Sequence, residues 1–137
     1  MRTVLLFLAC LVPMEARSAD AAARDAARAT VERQIEAFRR DDAATAYAQA
    51  APQIRSLFPS PETFIAMVRQ GYGADYRARR FSVDRIEDAG EDSLALGVSI
   101  QDEAGTDWAA LYSLERQPDG AWAITGCRLV KAPGSNT

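Results

Sequence analysis

The chain has 137 residues, 48% of them hydrophobic and 26% charged, with a formal net charge of -3. This composition fits one soluble domain able to close a core and excludes a disordered tail or a fibre. Histidine is absent, which excludes Ser-His, Cys-His and Asp-His mechanisms and every zinc site that needs imidazole.

Arg2 followed by the apolar run Val4–Val12, the break at Pro13 and small residues beyond it form a signal-peptide pattern. The run is too short to cross a bilayer. We therefore expect a signal peptide over residues 1–18, with a cleavage window at 18–21, and a secreted, periplasmic protein with no membrane span in its mature form. Cys10 is preceded by Phe7-Leu8-Ala9, a poor match to a lipidation site. Cys127 is then the single cysteine of the mature domain, so no internal disulfide is available. Residues 22–131 are expected to fold as one domain, with 132–137 as a polar tail.

From Ala22 to Arg40, Ala27, Val31, Ile35 and Phe38 recur at helical spacing. Asp41-Asp42 can cap a second helix from Ala43 to Ala50, and Pro52–Phe58 reads as a short helical turn. Ser60-Pro61-Glu62 is a strong helix start, and the helix it opens stops at Gly71. The period then changes from 3.6 to 2. Phe81, Val83 and Ile86 begin a strand, with Glu87–Asp92 as its turn. Leu94, Leu96, Val98 and Ile100 alternate in a second strand, and Trp108, Ala110, Tyr112 and Leu114 in a third. After the hairpin at Gln117–Gly120, Trp122 and Ile124 open a fourth. The apolar phase slips by one to Cys127 and Leu129, which marks Gly126 as a bulge.

Helices followed by a four-strand meander predict an α+β fold: N-terminal helices packed on a curled four-stranded antiparallel sheet, cone-shaped overall. The opposite sheet face, with Ala95, Gly97, Ser99, Ala109, Leu111, Ser113, Ala123 and Thr125, carries little charge. Solvated faces usually carry more, so a homodimer through this outer face is expected.

The segments Val31–Phe38, Phe64–Tyr72, Trp108–Gln117 and above all Asp119–Leu129 resemble an uncharacterised exported bacterial family, catalogued as domain of unknown function 4864. That family is similar to the nuclear transport factor 2-like superfamily, a cone in which a curled sheet wraps around helices. The superfamily ranges from ketosteroid isomerases and polyketide cyclases to proteins without chemistry, so the resemblance implies the fold and leaves function open.

Three functions fit the residues. A ligand-binding or interaction module needs only an apolar cavity closed by Phe64, Met67, Val68, Tyr72, Trp108, Tyr112 and Trp122. Its ligand, small and apolar or anionic, would meet Tyr72, Tyr76, Arg77, Arg79, Trp108 and Tyr112, with the arginines at the rim. A small-molecule isomerase or cyclase-like enzyme would pair Tyr112 or Tyr72 with Asp75. A structural envelope protein would fill the space entirely. No cofactor or metal is expected, because the acidic pairs at Glu87-Asp88, Glu91-Asp92 and Asp102-Glu103 fall in turns without calcium-loop spacing. The acidic balance argues against nucleic acid as a partner of Arg77, Arg79 and Arg80. Cys127 reads as a small buried hydrophobe, with an intermolecular disulfide as the alternative.

Overall fold

The computed structural model describes residues 14–133. The apolar run at Val4–Val12, with Cys10, lies outside the described residues, as do residues 134–137 of the tail. Helix α1 (Met14–Arg39) is continuous through residues 18–21 and so begins earlier than the expected start at Ala22. Helix α2 (Ala43–Ala48) starts where Asp42 accepts from the Thr45 N–H. Helix α3 (Pro52–Leu57) has its proline in the first turn. Helix α4 (Pro61–Gly71) opens with a capping box in which Ser60 and Thr63 bond reciprocally. A four-residue helix, α5 (Gly73–Tyr76), follows directly; nothing in the apolar spacing announced it.

Strands β1 (Ala78–Gly90), β2 (Ser93–Asp102), β3 (Asp107–Arg116) and β4 (Trp122–Lys131) form an antiparallel meander in the order β1-β2-β3-β4. Strand β1 is longer than its apolar residues suggest. Glu87 and Asp88 still pair with Ala95 and Leu94, which leaves only Glu91-Asp92 as the turn. An edge strand with one solvated side tolerates such acids, and their density imitated a loop. Gly105 and Gly120 take positive φ values of 84° and 87° at the other two turns, where only glycine is unstrained.

The expected cone is not formed. The sheet is open and neither curled nor closed, with β1 and β4 as two separate edges. β1 finds partners on α1 and β4 finds them in the link between α2 and α3, and neither finds them in the other edge. On β1, the carbonyls of Ile86 and Val83 accept from Arg24 and Arg28 of α1. On β4, Ile124 forms a parallel bridge with Ala50: its N–H donates to Gln49 O at 2.9 Å, and its carbonyl accepts from Ala51 N at 2.8 Å.

Two apolar clusters result. The first joins Ala27, Val31 and Ile35 of α1 to the inner sheet face, where Leu96, Val98, Ile100, Tyr112 and Leu114 are buried. The second gathers Phe38, Phe64, Ile65, Val68 and Tyr76 around the ends of α1 and α4. Tyr76 also anchors Asp41, the one non-glycine residue with positive φ (55°) among the described residues, by donating its hydroxyl to the Asp41 carboxylate.

Candidate functional site

A cavity of about 200 Å³ lies along the seam between the two clusters. Its sheet wall is Tyr112 of β3 with Ile124 and Cys127 of β4. Its helical wall is Phe38 of α1 with Phe64, Met67 and Val68 of α4. Half-buried Ile54, Phe58 and Tyr72 stand at its outer side. The Tyr72 hydroxyl donates to the Cys127 carbonyl at 3.1 Å and thereby joins the end of α4 to β4.

The bulge decides which β4 side chains reach this cavity. Ser113 pairs with Gly126 and Leu114 with Ile124, so Thr125 is the extra residue. Beyond it the inward phase passes to Cys127, which sits directly opposite Tyr112 in the register. A regular strand would have turned the thiol away.

The polar end of the cavity is Asp75 of α5, only 2% exposed. Its Oδ2 accepts from the Cys127 thiol at 3.4 Å. Asp75 Oδ1 and the Tyr112 hydroxyl oxygen are both buried without a hydrogen-bond partner. The two groups nonetheless sense each other: burial raises the Asp75 pKa to about 6, while Cys127 and Tyr112 act in the opposite direction as donors. Burial outweighs both of these opposing effects. Burial first, and then the Asp75 charge, push the Tyr112 and Cys127 pKa values upward. Both therefore stay protonated at neutral pH, and Cys127 is no nucleophile. Among the described residues no arginine or lysine lines the cavity.

Of the six residues expected to meet a ligand, the structure brings together Tyr72 and Tyr112. Tyr76 is buried in the second cluster, with Arg69 and Arg77 stacked over its ring at 5.1 and 5.0 Å. Tyr76, Arg77 and Arg79 line a different hollow together with Arg39 and Glu103. The Trp108 indole donates to Asp102 at 2.9 Å and borders a surface depression away from the cavity. Asp75, the acid named for the enzyme reading, is deeper than its place after Gly73 suggested. Cys127, Gln34, Phe38, Ile54 and Phe58 were not foreseen as lining residues; for Cys127 the phase slip at Gly126 was the available signal. Among the described residues no group of three or more acids and cysteines could hold a metal ion, and no helix is long and apolar enough to cross a membrane.

The outer sheet face carries exposed Leu111 and Val130, 45% and 46% accessible, around a shallow hollow of about 430 Å³. Arg85, Arg128 and Asp84 border it. Ser99 and Ser82 donate to Asp84 and hold its carboxyl below the usual range.

A model of the family described as "Domain of unknown function (DUF4864)" matches residues 20–137. The crystal structure of an NTF2-like protein of unknown function from Shewanella baltica OS155 superposes with a TM-score of 0.59 at 11% sequence identity. The match covers 83% of this chain and 97% of that one. This likeness concerns the fold alone. No curated protein matches the chain.

Asp75 has a direct consequence for stability. Its folded pKa lies above the usual carboxylate value, so folding favours the protonated form. Stability is then highest below pH ~4, falls as pH rises toward 6, and levels off above. An uncharged isostere escapes this loss. Asp75→Asn should stabilise the protein at pH 7.5, relative to its effect at pH 4, by up to about 3 kcal/mol. Urea unfolding of both proteins at the two pH values checks this; an equal effect at both would show that the carboxylate is not desolvated.

Proposed function

The chain belongs to that family of domains of unknown function, with an NTF2-like fold, and we propose that it binds a small ligand in the seam cavity. The ligand is compact and mainly apolar, with one polar end. The observation that carries this reading is the pair of buried, unpartnered polar atoms, Asp75 Oδ1 and the Tyr112 hydroxyl, at the end of an otherwise apolar cavity. A buried polar atom without a partner costs about 1–3 kcal/mol, a cost that a ligand supplying the missing bond removes. About 150 Å³ suffices for a benzene-sized ring, so a monocyclic or short-chain molecule fits. Benzyl alcohol should raise the melting temperature of the protein, and Met67→Trp, which fills the half-buried side of the cavity, should abolish that rise. Native mass spectrometry before and after denaturation would reveal a co-purifying molecule. If neither a bound molecule nor a thermal shift is found, the cavity reading fails.

One observation favours a second reading. A carboxyl with a pKa of about 6 beside a protonated tyrosine is matched to proton transfer next to a carbonyl. The Asp75 carboxylate would take the α-proton, leaving the C–H electron pair in an enolate whose oxygen accepts from the Tyr112 hydroxyl. Hydrogen-deuterium exchange at the α-carbons of cyclohexanone, followed by NMR in D2O, should then exceed the rate in buffer and drop at least about tenfold in Asp75→Asn. A rate equal to that in buffer excludes this reading for such ketones.

Self-association is proposed for the outer face, supported by Leu111 and Val130 among small residues. Sedimentation of the full chain should give a dimer, converted to monomer by Leu111→Glu. A wild-type monomer at the highest concentration tested would overturn this.

A further inference from the structure

The seam cavity holds an acid without a matching base. Asp75 is 2% exposed, and among the described residues no arginine or lysine lines the cavity around it. Tyr112 faces it from β3 and Cys127 from β4. Both hold their protons at neutral pH, while α1 supplies Gln34 and α4 only apolar side chains. Buried carboxylates are normally paired with a cation or accept several hydrogen bonds. This one accepts a single thiol donor, and its second oxygen has none.

Aromatic rings form much of the remaining surface: Phe38, Phe58, Phe64, Tyr72 and Tyr112. Their faces attract cations, most strongly when water is excluded. The Tyr112 oxygen is a second unpartnered acceptor. Gln34 commits its amide nitrogen to Ala46 O at 3.1 Å, which leaves a carboxamide oxygen on another lining side chain. An anionic ligand would meet a like charge here with no arginine or lysine to offset it. A neutral ligand would leave the charge uncompensated.

We propose that the ligand of this cavity is a small primary ammonium with an apolar, ring-sized body, its charge paired with the Asp75 carboxylate at the unpartnered Oδ1. This rests on the cavity-binding reading above and narrows it to one chemical class. An ammonium brings three donors and a full charge to a site rich in acceptors and aromatic faces. Its hydrocarbon part replaces the empty apolar space.

Calorimetric titration of the full chain with benzylamine, benzyl alcohol and benzoate tests this. At pH 7.5 benzylamine should bind at least about tenfold more tightly than benzyl alcohol, since one charge-assisted pair in a desolvated site is worth that much. Benzoate should not bind. Between pH 7 and pH 5 the ionised fraction of an acid with a pKa of about 6 drops about tenfold. Benzylamine, protonated throughout, should weaken by that factor, while benzyl alcohol should not. Asp75→Asn should remove the benzylamine preference. The pH series on the unaltered protein gives the answer even where that variant does not fold. Equal affinity for the amine and the alcohol, or an amine affinity independent of pH, would overturn the ammonium assignment and leave the cavity reading standing. If none of the three probes binds, both fall together.

Discussion

Helix α1 lies across the inner face of an open sheet, and the other elements take their places from that contact. Ala27, Val31 and Ile35 are fully buried against the strands. Their four-residue spacing also puts two polar residues on the same stripe. Thr30 donates to Trp122 O at 2.9 Å and so ties the helix to β4; Gln34 ties it to α2. The end of the helix then leaves the sheet and carries Ala37 and Phe38 into the second cluster. One rigid helix thus belongs to two cores, and the cavity is the space where they fail to merge.

What gives that space its chemistry is a single extra residue in β4. The bulge at Thr125-Gly126 places the Cys127 thiol opposite Tyr112, against the carboxyl that α5 delivers from the other side. Three groups from three elements meet inside apolar walls. None of them is near its ordinary titration range, because each is short of water and near the others. A domain that keeps a carboxyl in such a place gives up stability at neutral pH. Stability given up locally is common at sites that are completed only by a bound molecule.

Much of the fold was legible. The 3.6-residue spacing of Ala27, Val31 and Ile35 marks α1; Ser60-Pro61 marks the start of α4; the alternation in Leu94–Ile100 and Trp108–Leu114 marks the paired strands. These are features of period and capping, which are local. The shape of the sheet was not legible, because curvature depends on what the two edges find to bond with. Ala50 and the α1 arginines meet those edges only in three dimensions. The same holds for the site. Tyr112 follows from the inward phase of β3, and Tyr72 from its place at the end of α4. Asp75 sits in four helical residues too short to show a period, so its burial had no signature. Tyr76, Arg77 and Arg79 lie close to Tyr72 in sequence, yet α5 and the start of β1 carry the arginines to another hollow.

The arginines of α1 also bear on how the molecule meets its own kind. An edge strand offers unpaired backbone to any passing strand, which is the usual route to runaway sheet extension. On β1 two of the carbonyls such a visitor would need are already occupied by guanidinium groups from Arg24 and Arg28. On β4 the protection is a short piece of backbone around Ala50 near Ile124, with the Tyr72 hydroxyl on the Cys127 carbonyl beyond it. The end of β4 that carries Val130 is left as the softer flank, the place where a foreign strand would find purchase if one ever joined this sheet.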